Sequence, residues 1–292
     1  PNGPMFYKGL YHLFYQYNPK AAVSSDSKVW EHAVSQDLVN WESLETAIFP
    51  SEWYDINGCW SGSATFLSGE KPVILYTGLD NSSRQAQSMV VPKNASDAYL
   101  REWVKIPQNP IIVPDKGIDA SSFRDPTTAW LGNDERWRVV VGNKEDLDHE
   151  GRALLYTSKD FLRWNKKQQP LYSSKNTGMW ECPDFYPVAL SGNLGLDNSV
   201  IAGTDVKHVL KIYLQDNQFD SYTVGTYFAN TDGYVPDNTS ADNNYVLRYD
   251  YGKFYASKTF FDYDKKRRIL WGWINESDSV QDDVAQGWSG VQ

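Results

Sequence analysis

Apolar positions along this 292-residue chain fall in short runs suited to strands, and no segment keeps an apolar period of 3.6 over a normal helix length. Ala64 to Leu67, Thr127 to Leu131 and Phe185 to Leu190 are such runs, and each predicts a strand. The chain also repeats itself. Leu38 to Trp41, Leu100 to Trp103 and Phe161 to Trp164 share the order apolar, any, any, Trp, with the tryptophans about 60 residues apart. The first and third units match best: Ser35, Asp37, Leu38 and Trp41 against Ser158, Asp160, Phe161 and Trp164.

After each tryptophan come a short polar stretch, a polar or acidic motif, and then the strand-like run. The motifs are Trp60, Ser61, Gly62; then Phe123, Arg124, Asp125, Pro126; then Trp180, Glu181, Cys182, Pro183, Asp184. A looser fourth unit carries Arg248, Tyr249 and Asp250 before Phe254 to Phe261. Repeats of this length built from short strands predict the blades of a β-propeller, whose inner strands converge on a central channel. Convergence would bring residues so distant in sequence into one pocket.

Composition fits an all-β reading, with 15% aromatic residues and many Val, Ile and Thr. No Gly/Ser run, Pro-rich tract or low-complexity stretch interrupts the chain, so 1–292 reads as one domain. A net charge of −9 and a pI near 5.0 argue against a nucleic-acid or anionic-membrane partner. No apolar stretch approaches membrane-spanning length. The basic run Lys265 to Arg268, between Thr259–Phe261 and Ile269–Trp273, reads as a solvated hairpin turn. A monomer is the default expectation.

Glu181 stands isolated between aromatics, a setting in which a carboxylate reads as catalytic. The plainer reading is a strand-end carboxylate in solvent. Asp125 precedes a proline, as turn residues do, and with Arg124 it could form an ordinary surface pair. Cys59 and Cys182 adjoin the motifs; they are too few for a disulfide framework and read as filling of a crowded inner strand, with mutual pairing left open. His12, His32, His149 and His208 lack ligand spacing, and no phosphate loop or nucleophile elbow appears, so no metal and no cofactor are expected. Sequons at Asn81, Asn94, Asn238 and Asn275 permit N-glycans if the chain is secreted.

In these motifs the sequence resembles glycoside hydrolase family 32, the invertases and fructan hydrolases, and within it the plant acid members. The resemblance runs over essentially the whole chain: Pro1 to Gly3, Tyr11 to Pro19, Trp60 to Thr65, Phe123 to Pro126, Trp180 to Pro187, Arg248 to Gly252 and Trp271 to Trp273. It implies a five-bladed propeller followed by a C-terminal β-sandwich. Gln292 comes just after Gly287 to Gly290, where family members continue into the sandwich. They also read Trp, Met, Asn, Asp directly before the Pro, Asn, Gly matched by Pro1 to Gly3. That Asp is their nucleophile; it is expected to precede Pro1, and the chain as given is expected to be inactive without it.

The resemblance further implies roles. Glu181 would be the acid/base and Asp125 the carboxylate that holds sugar hydroxyls and steadies charge developing on the ring. Arg124 would pair with hydroxyls or keep the two carboxylates in register. Asn2 and Gln16 match positions that hydrogen-bond the fructose ring; Trp60 and Ser61 match a pocket wall, with Trp30 a weaker candidate. Asp184 is expected to be structural. The implied activity is that of a secreted, retaining β-fructofuranosidase of the apoplast or cell wall, or alternatively the vacuole, with sucrose as default substrate. Two departures bear on substrate. An Asp and, three residues on, a Lys that sucrose-cleaving members carry are replaced by Gln215 and Gln218, although Asp216 stands one residue away. Ser24 replaces an aromatic. A fructan exohydrolase is therefore the close alternative, and a non-catalytic sugar-binding relative the alternative from another class. Pro183 resembles the cell-wall branch.

Overall fold

The computed structural model describes residues 1–21, 26–237 and 247–274. All its regular structure is antiparallel β. The first sheet runs β1 (Asn2–Tyr7), β2 (Leu10–Tyr17), β3 (Val29–Ser35), β4 (Trp41–Ser43), and the second β5 (Gly58–Leu67), β6 (Lys71–Leu79), β7 (Gln85–Pro92), β8 (Trp103–Lys105). The third is built from β9 (Phe123–Arg124), β10 (Trp130–Leu131), β11 (Trp137–Glu145), β12 (Glu150–Ser158), β13 (Trp164–Lys166) and β14 (Tyr172–Ser174). The fourth holds β15 (Trp180–Ala189), β16 (Val206–Leu214), β17 (Phe219–Phe228), β18 (Gly233–Pro236) and β19 (Leu247–Arg248). A two-stranded sheet pairs β20 (Phe254–Asp262) with β21 (Arg267–Ile274).

The sheets stand as blades around a common hub: β1 touches β5 and β20, β5 touches β9, and β15 touches β11 and β20. The propeller expected from the repeats is therefore present, but the described residues form four blades of four or more strands, not five.

Strands buried on both faces explain the continuous apolar runs. Successive side chains point to opposite faces, so neighbours in sequence enter different cores. Ile74 and Tyr76 join Phe14 and Trp30 between the first two sheets, while Val73 and Leu75 join Phe123 and Val139 between the second and third. Val140 and Leu155 pack with Trp180, Phe185 and Leu210 between the third and fourth.

The repeated Ser, Asp, apolar, Trp units are turns that deliver the short strands β4 and β13 of the first and third sheets. The Ser35 hydroxyl accepts the Asp37 and Leu38 amides, Asp37 Oδ1 accepts those of Val39 and Asn40, and Trp41 Nε1 donates to Leu38 O. Ser158, Asp160 and Trp164 repeat the arrangement, and the apolar residue is left-handed in both, with φ of 69° at Leu38 and 64° at Phe161. Sequence similarity survives here because the turn consumes specific side-chain oxygens.

Three expectations need correction. Thr127 to Leu131 is not one strand: Asp125 has φ of +66° and Pro126 has no amide to donate, and although the Thr127 amide donates to Val140 O, the regular ladder resumes only at Trp130. The basic run is not wholly a solvated turn: Arg267 and Arg268 lie in β21, and Arg268 is half-buried over the Tyr186 ring, donating to Leu196 O and Asn198. Of the fourth unit, Tyr249 bonds the Tyr186 hydroxyl and Arg248 covers Phe219, and among the described residues no bond joins them to the acidic motifs.

Candidate active site

The inner strands share one irregularity at one level. Register shifts fall between Asn2 and Met5 in β1, Trp60 and Gly62 in β5, Glu181 and Asp184 in β15, and Tyr255 and Lys258 in β20. Gly3, Cys182 and Ala256 at these steps have positive φ, as does Asp125 directly after β9. A bulge re-aims the residues next to it, and here the bulges gather the sequence motifs at the hub.

Arg124, 6% exposed, is the junction. Its Nε and Nη2 donate to Glu181 Oε1 at 3.2 and 2.8 Å, Nη2 also reaches Gln215 Oε1 at 3.2 Å, and Nη1 reaches Gln85 Oε1 at 3.3 Å. Asp125 is buried; its amide donates to Thr77 Oγ1, and its Oδ2 accepts the Cys182 amide at 2.8 Å. Tyr255 donates its hydroxyl to Glu181 Oε2 at 3.2 Å. Burial pushes the Glu181 pKa up and the Asp125 charge adds to this; the Arg124 charge and the bonds from Arg124 and Tyr255 pull it back.

Trp60 lies beside the junction, with Arg124 Cζ 5.9 Å from its ring centre and its Nε1 donating to Asp26 O. Ser61 is half-buried at the same bulge. Asn2 Nδ2 and both amide atoms of Gln16 are buried without a protein partner among the described residues. Such groups are costly to bury unless something bonds them.

Other candidates fall elsewhere. Trp30 is fully buried in the core between the first two sheets, so it supports the site only through the bond from its Nε1 to Trp60 O. Trp180 and Phe185, expected to shield Glu181, also belong to a core, stacked against Tyr172 and His208. The aromatics at Glu181 are instead Tyr255 and Tyr213, whose rings lie 4.3 Å apart. Asp184 accepts both the amide and hydroxyl of Thr259, tying β15 to β20. Gln215, not Asp216, reaches Arg124; Asp216 pairs with His149 at 2.6 Å. Gln218 is exposed in a turn, and Ser24 lies outside the described residues. Cys59 and Cys182 are free and buried, and burial raises both thiol pKa values.

Tyr255 and Lys28 escaped the sequence reading. Tyr255 sat unmarked in an aromatic strand run. Lys28 Nζ lies 5.2 Å from the Trp60 ring centre; burial lowers its pKa while the Asp125 and Glu181 charges oppose that.

A mostly buried carboxyl with a raised pKa, held close to a second carboxylate, can give a proton to a bound polar ligand and take it back. Against known families, the model for the glycosyl hydrolases family 32 N-terminal domain matches residues 1–292. The β-fructofuranosidase, insoluble isoenzyme CWINV1, of Arabidopsis thaliana is 58% identical over 296 residues, covering 100% of this chain and 50% of that protein. The fructan 6-exohydrolase of Beta vulgaris is 55% identical over 296 residues, covering 100% of this chain and 48% of that protein. The crystal structure of fructan 1-exohydrolase IIa from Cichorium intybus superposes with a TM-score of 0.94 at 53% identity, covering 100% of this chain and 54% of that one. The chain spans about half the length of these relatives.

Proposed function

The chain belongs to glycosyl hydrolase family 32, and from that premise we propose that it is the propeller of a retaining β-fructofuranosidase that releases terminal non-reducing fructose, with sucrose as default substrate. The observation that carries this is the Glu181 carboxyl, raised by burial and by Asp125 yet gripped by Arg124 and Tyr255.

Retention needs two displacements. A carboxylate attacks the anomeric carbon while Glu181 gives its proton to the departing glycosidic oxygen; Glu181 then takes a proton from the water that frees fructose. The resemblance assigns the attack to an Asp preceding Pro1, and Pro1 has Cys182, Lys211, Lys258 and Asp220 as its ionisable neighbours, beside the Glu181 strand. Asp125 would hold ring hydroxyls and oppose the positive charge of the oxocarbenium-like transition state. Asn2 and Gln16 have amide atoms to offer hydroxyls, and the Trp60 ring suits the apolar C–H face of the sugar.

Gln215 supports a second reading. A neutral amide on Arg124 accepts weaker bonds from a glucose leaving group than a carboxylate would, which favours a fructan exohydrolase. In either case we take residues 1–292 as one domain, with the β20–β21 pair packed against β1 and β15 at the hub. Secretion to the apoplast as a monomer, with glycans on the exposed Asn81 and Asn94, completes the reading; Asn238 and Asn275 lie outside the described residues.

Proton NMR of sucrose and short-inulin hydrolysis by the full-length protein tests it. β-Fructofuranose as the first product is expected; no fructose release, or initial release of the other anomer, contradicts it. The ratio of the two rates separates invertase from exohydrolase.

A further inference from the structure

Glu181 and Tyr255 both sit immediately before bulges, in β15 and β20. A bulge detaches backbone groups from the ladder, and buried carbonyls left this way need other donors. Two buried ammonium groups supply them. Lys211, 1% exposed, donates to Cys182 O at 2.7 Å and to Ser257 O, thereby joining one bulge to the other. Lys258, 3% exposed, donates to Pro183 O at 3.0 Å. Asp220 answers the Lys211 charge at 3.7 Å and accepts the Ser257 amide at 3.0 Å.

This is a costly way to hold two strands together. Burying an ammonium carries a desolvation penalty, and replacing a buried ion pair by apolar side chains is often neutral or stabilising. A charge kept in so dry a place points to geometry as its purpose. Cys182 directly follows Glu181, and Ser257 lies two residues after Tyr255, so one Lys211 nitrogen fixes the distance between the acid and the hydroxyl that bonds it.

We propose that Lys211, with Asp220 as its counter-charge, is a positioning residue that holds the Glu181 and Tyr255 bulges in register and acts on the reaction through the Tyr255–Glu181 bond. The proposal rests on Glu181 being the acid/base. Because Tyr255 pulls the Glu181 pKa down, losing their alignment raises it.

The test is a double-mutant cycle in the full-length protein. One arm is Lys211→Met made together with Asp220→Asn, so that neither charge is left alone; the other is Tyr255→Phe. Each arm should lower kcat about 10- to 100-fold with KM changed less than about threefold. Each should also move the alkaline limb of the kcat/KM profile to higher pH. The combined variant should lose little more than the worse arm, because both act through one bond. Losses that multiply, with the alkaline limb of the Lys211 arm at its wild-type position, would make Lys211 merely structural and overturn the proposal. If the paired replacement does not fold, Asp220→Asn alone takes its place in the cycle under the same criterion. Activity surviving in Glu181→Gln would instead overturn the reading of the acid.

Discussion

Asp125 Oδ2 accepts the amide of Cys182 at 2.8 Å, so the carboxylate of one motif is fastened to the backbone directly after the carboxylate of another. Around that bond Glu181 feels two charges of opposite sense: Arg124 lowers its pKa and Asp125 raises it. Replacing each should move the same titration in opposite directions.

Asp125→Asn keeps an oxygen for the Cys182 amide but removes the charge. The Glu181 pKa falls, and the alkaline limb of kcat/KM, which follows loss of the acid's proton, should move to lower pH. With the proposed transition-state contact also lost, kcat should drop about 10²- to 10³-fold. A limb that moves up would contradict this.

Arg124→Met should move the limb to higher pH, since the opposing charge and hydrogen bonds disappear. The pH dependence of kcat/KM checks it, and a downward shift would contradict the assignment.

Gln215→Asp places a carboxylate on the Arg124 edge now taken by an amide. A charge-assisted acceptor for leaving-group hydroxyls should raise the sucrose to short-inulin ratio of kcat/KM about tenfold, the equivalent of roughly 1.4 kcal/mol. An unchanged ratio would show that Gln215 does not face the leaving group.

Much of this was legible in the chain, for identifiable reasons. The Ser35 and Ser158 turns left matching sequence because their oxygens must be there. Arg124, Asp125 and Glu181 stood out as polar residues in aromatic surroundings. What the pattern hid follows from the bulges. Closeness in sequence assigned Trp180 and Phe185 to Glu181, whereas alternation and the register shift carry both into a core. Lys211 lies among Leu210, Ile212 and Tyr213, and nothing in that run shows that its amine meets carbonyls freed in two other strands. Tyr255 likewise reads as one more strand aromatic.

Gly142 pairs with Arg124 in the third sheet, and a Cβ there would stand 2.2 Å from Trp180 O. Backbone cannot yield as a side-chain end would, so Gly142→Ala should destabilise the protein by about 1–3 kcal/mol. It should also cost activity, because Trp180 precedes Glu181. Wild-type thermal stability would contradict the close approach.

His208 is buried against Phe185, and burial lowers its pKa to about 4. With an unfolded value near 6.5, the unfolded chain binds the extra proton between these limits. Stability from this residue is therefore complete above about pH 6.5 and is lost as pH falls toward 4, roughly 2 kcal/mol of it by pH 5. Denaturant unfolding of His208→Phe should show a drop between pH 7 and pH 5 smaller than wild type by about that amount; an equal drop would place the ring in solvent.

The central claim is that Glu181 supplies the proton to the leaving oxygen. The most direct measurement is kcat for sucrose and short inulin in full-length Glu181→Gln, an isosteric change that removes only the exchangeable acid. A fall of about 10³-fold or more with KM within a few-fold of wild type is predicted; turnover near the wild-type rate on both substrates would contradict it.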